Sequence, residues 1–160
     1  MYRIGKHEHG IKRAILESKR STCARGMRGC VLVDKYYEIL STGRNGVPSG
    51  GTHCIDIPCA GADAPSGTRL SECKAVHAEA NALLQCDKVH EVFIAYCTTE
   101  PCIECTKLLL NTSVQIVMFA EKYPHSEKSR SLWVECGRDL HNWVHFTGDC
   151  DDNIIQKTQE

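Results

Sequence analysis

Two short fragments, His77-Ala78-Glu79 and Pro101-Cys102-Ile103-Glu104-Cys105, constrain this fold more than any other feature, because they carry metal-ligand chemistry on two segments separated by an apolar run. One imidazole and two thiolates are the three ligands a catalytic zinc takes when its fourth position is kept for water. Cys102 and Cys105 stand one turn apart on a helix, so both sulfurs can reach one ion. Two thiolates with Zn2+ give a formally neutral site that still acidifies water. Glu79, two residues beyond His77, falls off the imidazole's face of a helix and reads as a proton carrier beside the ion rather than a fourth ligand. A C-x-x-C pair alone is also a redox pair or half a zinc knuckle, and H-A-E alone says little. Joined, with both fragments at predicted helix starts and a predicted strand between them, they are specific.

The rest of the chain supplies a scaffold for such a meeting. Ile4, Ile11, Ala14 and Ile15 among charged residues predict an amphipathic helix over 5–21. Residues 29–33 and 36–41 read as two strands of a hairpin, the first of them apolar and central. Helices are expected over 76–86, 103–111 and 129–142, with strands over 89–97, 115–120 and 143–146. Strands alternating with helices imply βαβ units and a mixed or largely parallel sheet covered on both faces. The segment 43–67 breaks the pattern with six Gly and three Pro. A loop of that length in a small domain is expected to be a binding lid or to be clipped by a metal. The whole chain reads as one domain, with a polar tail from Asp149 that frays.

Composition narrows the partners. A net charge of -1 argues against a nucleic-acid polymer and leaves a small anion possible. No run of apolar residues is long enough to cross a membrane, and the N-terminus has no apolar leader, so the expected location is the cytoplasm. Eleven cysteines, an odd number with no leader, favour thiol ligands in a reducing compartment over a disulfide framework. Cys30, Cys86, Cys97 and Cys136 lie in apolar or helical stretches and read as small buried hydrophobes. Cys23, Cys54, Cys59 and Cys73 lie near turns or polar residues, where ligands are easier to place.

From Ser21 to Ala120 the chain resembles the deoxycytidylate (dCMP) deaminases of bacterial and phage type, within the cytidine deaminase superfamily. The matching elements are Ser21-Thr22-Cys23, the strand 29–33, Ser41-Thr42-Gly43-Arg44-Asn45-Gly46-Val47-Pro48-Ser49-Gly50, His77-Ala78-Glu79-Ala80-Asn81-Ala82 and Thr99-Glu100-Pro101-Cys102-Ile103-Glu104-Cys105. The resemblance implies a three-layer α/β/α fold around a five-stranded mixed sheet, and hydrolysis of dCMP to dUMP and ammonia. Glu79 then moves a proton from water to the ring nitrogen and on to the departing amine. Homohexamers are also implied, as are activation by dCTP and inhibition by dTTP, with Mg2+ accompanying the effector.

Carried over by position, Asn45 is a ligand of the deoxyribose, Arg25 of the 5′-phosphate, and Ala78 a further substrate contact. The residues themselves leave alternatives open: Asn45 as a turn residue in a left-handed conformation, and Arg25 and Arg28 as a solvated face. A second, structural zinc is implied at Cys23 and Cys54, closed by Cys59 and Cys73, with His53 as a substitute for one of them. Arg44 departs from the family, which usually has an aromatic there; it offers a cation to a triphosphate instead. A related deaminase of dCTP or of a free nucleoside, or a catalytically silent nucleotide sensor, are the competing readings. The short Cys102-to-Cys105 spacing lacks the cysteine-rich insertion of the riboflavin enzymes.

Overall fold

The computed structural model describes residues 1–148, so the expectation for the tail from Asp149 lies outside the described residues. The element order is α1 (Lys6–Ser18), β1 (Gly29–Val33), β2 (Ile39–Arg44), α2 (Ala78–Leu84), β3 (Ile94–Thr99), α3 (Ile103–Leu110), β4 (Ile116–Glu121), α4 (Glu127–Glu135) and β5 (Trp143–His145). The sheet runs β2-β1-β3-β4-β5. β1 is antiparallel to both β2 and β3, whereas β3, β4 and β5 are parallel. This is the expected five-stranded mixed sheet.

Every residue of β1 is buried, because alternate side chains enter two different cores. Cys30 and Leu32 face Ala78, Ala82, Leu109 and Trp133 of α2, α3 and α4, while Val31 and Val33 face Ile11 and Ala14 of α1. The sheet is thus sandwiched between α1 on one side and the other three helices on the other. Among the described residues no helix is long and apolar enough to cross a membrane.

Three boundaries differ from the sequence reading. The hairpin's second strand starts at Ile39, because Asp34 folds the turn by accepting the Tyr36 and Glu38 amides and Tyr37 adopts φ 66°. Ser41 to Arg44, expected partly as loop, are therefore in the sheet. The predicted strand at Val89 begins at Ile94 instead; Val89 and Val92 are apolar because they pack into the core, not because they extend. The last helix stops at Glu135 rather than Asn142. Gly137, at φ 78°, ends it: its amide reaches Val134 O and the Arg138 amide reaches Trp133 O, a Schellman closure. Cys136, expected to be buried, is exposed at this helix end, whereas Cys30, Cys86 and Cys97 are buried as expected.

What places the chemistry is the contact between β2 and α2. Gly43 lies so close to the helix that a Cβ there would overlap the Ala78 carbonyl and the Ala82 nitrogen. Ser41 Oγ donates to Ala82 O at 2.7 Å, and Asn81 Nδ2 donates to Arg44 O at 2.7 Å. The first turn of α2 is therefore fixed to the sheet by backbone contact and two side-chain hydrogen bonds.

Candidate active site

α2 and α3 begin side by side. His77 is the N-cap of α2 and Cys102 the N-cap of α3, both with extended backbone, and Cys105 lies in the first turn of α3. His77 Nδ1 is 3.4 Å from the Sγ atoms of both Cys102 and Cys105. Among the described residues, these three form the one set of three possible metal donors lying within 4.8 Å of one another. Ligand bonds of about 2.3 Å to sulfur and 2.05 Å to nitrogen at tetrahedral angles imply N···S separations of about 3.6 Å. The donors thus fit a tetrahedral zinc without rearrangement.

Electrostatics prepares the ligands. A hydrogen bond from Cys105, opposed by burial and helped by His77, pulls the Cys102 thiol down to about 4. The same hydrogen bond, with burial, pushes Cys105 well up. His77 is raised, first by its hydrogen bond to Cys102. The arrangement thus favours the thiolate at Cys102, the form that binds a metal.

Glu79 is buried in the first turn of α2, and burial pushes its carboxyl above the usual carboxylate range. A raised carboxyl holds a proton more readily than a free one, as a general acid requires. It lines, with Ala78, His77 and Cys102, a cleft of about 760 Å³ of empty space including its open mouth. The cleft opens at the C-terminal end of β3, as ligand sites of parallel α/β units commonly do.

Asn45 and Arg25 also line the cleft. Asn45 is buried; its Oδ1 accepts Ser21 Oγ at 2.6 Å and the Arg28 amide at 2.8 Å, and its Nδ2 donates to Gly26 O. Its φ is not positive, so it is not the left-handed turn residue the sequence allowed. Arg25 is not a solvated side chain either: Nη2 donates to Pro65 O at 2.6 Å and Thr68 O at 2.8 Å, while its Nη1 is buried without a hydrogen-bond partner. Thr99 Oγ1, also at the cleft, is likewise buried and unpartnered. Two unsatisfied polar groups in one cleft point to a polar ligand. Arg44 lies outside the cleft, its guanidinium 2.8 Å from Glu17 on α1.

The four remaining candidate cysteines are neighbours. Cys54 Sγ is 3.4 Å from Cys59 Sγ and accepts the Cys59 amide. The Lys74 amide lowers the Cys59 thiol, helped by Cys54 and, less, by Cys73. Cys23, raised by burial, feels the charges of Cys73 and Cys54. His53 is exposed and faces Asp56 at 3.8 Å.

Tyr123 and Glu100 complete the cleft and were not singled out from the sequence. Tyr123 stands just past the end of a parallel strand, a position from which side chains reach ligands, and that was the available signal. Glu100 was signalled by an acid placed between an apolar strand and Pro101.

Residues 4–121 match the family model for the cytidine and deoxycytidylate deaminase zinc-binding region. The chain is 33% identical over 138 residues to a deoxycytidylate deaminase of Schizosaccharomyces pombe, a match covering 84% of this chain and 42% of that protein. It thus spans about two fifths of the length of that relative. A deoxycytidylate deaminase of Mycobacterium phage D29 is 36% identical over 121 residues, 72% of this chain and 94% of the phage protein. The crystal structure of dCMP deaminase from the cyanophage S-TIM5 in complex with dCMP and dUMP superposes with a TM-score of 0.65 at 27% identity, covering 86% of this chain and 93% of that one. With the His77, Cys102 and Cys105 donors where that family's zinc-binding region lies, the chain belongs to the cytidine and deoxycytidylate deaminase family.

Proposed function

We propose that the protein is a zinc-dependent hydrolase that converts dCMP and water to dUMP and ammonia. The observation that carries the reading is the convergence, in one cleft, of the donors His77 and Cys102, backed by the buried Cys105, with the buried Glu79 and the unpartnered Nη1 of Arg25. When bound by His77, Cys102 and Cys105, zinc supplies the Lewis acidity that makes water nucleophilic near neutral pH. Glu79 takes one proton from the attacking water and delivers it to N3 of the cytosine ring, then takes the second proton from the same oxygen as the C4 carbonyl forms and delivers it to the departing amine, which leaves as ammonia. Burial raises the Glu79 carboxyl, which favours its holding a proton between the two transfers. Arg25 Nη1 receives the 5′-phosphate, and the Asn45 amide, held by Ser21, Arg28 and Gly26, orients the deoxyribose. Ala78, with no more than a methyl group at the cleft wall, leaves room for the base beside Glu79.

We also propose a second, structural zinc at Cys23, Cys54, Cys59 and Cys73, with His53 as substitute for one of them; the 3.4 Å approach of Cys54 and Cys59 supports it, and the remaining sulfurs must close in to complete the set. Family membership supports the remaining parts of the reading: dCTP as activator and dTTP as inhibitor, Mg2+ accompanying these effectors, a homohexamer, and action in the cytoplasm on free nucleotides rather than on a nucleic-acid polymer. The pairing of Arg44 with Glu17 takes that residue away from the cleft, where Arg25 and Arg28 remain as the arginines available to phosphate. The test is zinc content per chain with turnover of dCMP, dCTP, CMP and deoxycytidine, each with and without dCTP or dTTP as effector. Failure to release ammonia from dCMP rejects the proposal; one zinc per chain removes the four-cysteine site alone.

A further inference from the structure

The side chain of Glu100 is fully buried, and its carboxylate gathers three donors from three elements that follow it in the chain. Oε1 accepts Trp143 Nε1 at 2.7 Å, from β5, and Arg130 Nη1 at 3.0 Å, from α4. Oε2 accepts the Tyr123 amide at 3.1 Å, from the loop after β4, and the Glu100 amide itself donates to Glu121 O at 2.8 Å. Two residues further on stands Cys102. The group thus joins the loop carrying a metal donor to the C-terminal segment, most of which lies beyond residue 121, where the family match ends.

Tyr123 is what that segment contributes to the cleft. Burial raises its phenol, and it lines the same cleft as the metal donor Cys102 and the proposed phosphate ligand Arg25. The phenol also closes on Gly67 in the loop that Arg25 holds through Pro65 and Thr68. Resting on the deaminase reading, we propose that Glu100 is a positioning residue: it holds Tyr123 at the right depth in the cleft relative to Cys102, and through Tyr123 governs how tightly nucleotide is held. It acts by geometry alone and exchanges no proton with the substrate.

Glu100→Gln separates this role from general support. An amide has one acceptor oxygen, which can stay with Trp143 and Arg130, but its NH2 then meets the Tyr123 amide donor to donor. The substitution thus releases Tyr123 while leaving α4 and β5 attached. In the zinc-loaded full chain, E100Q is expected to keep its zinc and to lose about tenfold in kcat/KM for dCMP, chiefly through KM. Affinity for dUMP, measured by calorimetry, falls by a similar factor. Amide NMR shows the Tyr123 signal shifted or broadened with the Trp143 indole signal retained. In a Tyr123→Ala background, E100Q adds little further loss, because the two act through one side chain.

Additive effects, wild-type KM and dUMP affinity in E100Q, or zinc loss with unchanged turnover per bound zinc each overturn the proposal. Should E100Q fail to fold, Glu100→Asp, which keeps the charge with a shorter reach, is taken through the same cycle and judged by the same outcomes. A wild-type protein inert toward dCMP rejects the deaminase reading instead, and the NMR comparison still decides the positioning of Tyr123.

Discussion

Replacing Gly43 by Ala tests whether the seat of α2 on β2 governs the site. The new Cβ would overlap the Ala78 carbonyl and the Ala82 nitrogen and lie 2.9 Å from Ala82 Cα. Carbon atoms in contact sit about 3.5–4.0 Å apart, so the helix must retreat by about 1 Å. Backbone atoms, unlike the end of a flexible side chain, cannot turn aside. Overpacking of this kind costs about 1–3 kcal/mol, and the retreat also stretches the hydrogen bonds from Ser41 and Asn81 that fix the helix. His77 and Glu79 ride on the displaced turn, and a misplacement of about 1 Å costs on the order of 100-fold in rate. Gly43→Ala is therefore expected to lower thermal stability by several degrees and kcat/KM for dCMP by about 100-fold. Gly50→Ala is the control: its Cβ meets nothing, and only its φ of 86° is strained, so it loses stability without comparable loss of turnover per folded protein. Full activity in G43A, measured by ammonia release on zinc-loaded protein, refutes the reasoning.

Glu79→Gln is expected to keep zinc and lose at least about 100-fold in kcat. Burial raises Glu79, so the fold favours its protonated form; that stability is present below the ordinary carboxylate range and is lost as pH rises. The metal-free E79Q protein is therefore more heat-stable than wild type near neutral pH, and an equal or lower melting temperature contradicts this. Arg25→Ala removes a charge-assisted contact and is expected to raise KM for dCMP by about 10- to 100-fold while deoxycytidine turnover changes far less; equal loss on both substrates assigns Arg25 to holding Pro65 and Thr68 alone. Zinc must displace protons held by His77 and Cys105, both raised, so apparent affinity keeps climbing above the ordinary imidazole value between about pH 7 and 9. Chelator competition showing a plateau from about pH 6.5 argues against that proton competition.

The catalytic constellation was legible because its chemistry demands particular residue types at particular spacings. The strand order was not, since antiparallel pairing of β1 with β3 depends on contacts across the whole loop region. Burial of Cys23 and Cys54 could not be told from sequence, because a cysteine in a turn-rich segment looks solvated until the loop packs. Arg25 shows the same limit from the other side: its two loop carbonyls lie some forty residues away, so one arm tied and one arm free is visible only in three dimensions. Gly137 was readable as a helix stop, yet the predicted helix ran past it to Asn142.

Cys30 and Cys97 face each other across β1 and β3, 67 residues apart in the chain. The central pairing of the sheet therefore closes a very long loop, a non-local contact that slows folding relative to a helical bundle. That loop contains His77, so a zinc held by His77, Cys102 and Cys105 would tie its far end to α3 and shorten the search. Refolding with zinc present is accordingly expected to outpace refolding followed by zinc addition, making metal supply a determinant of how fast the protein matures.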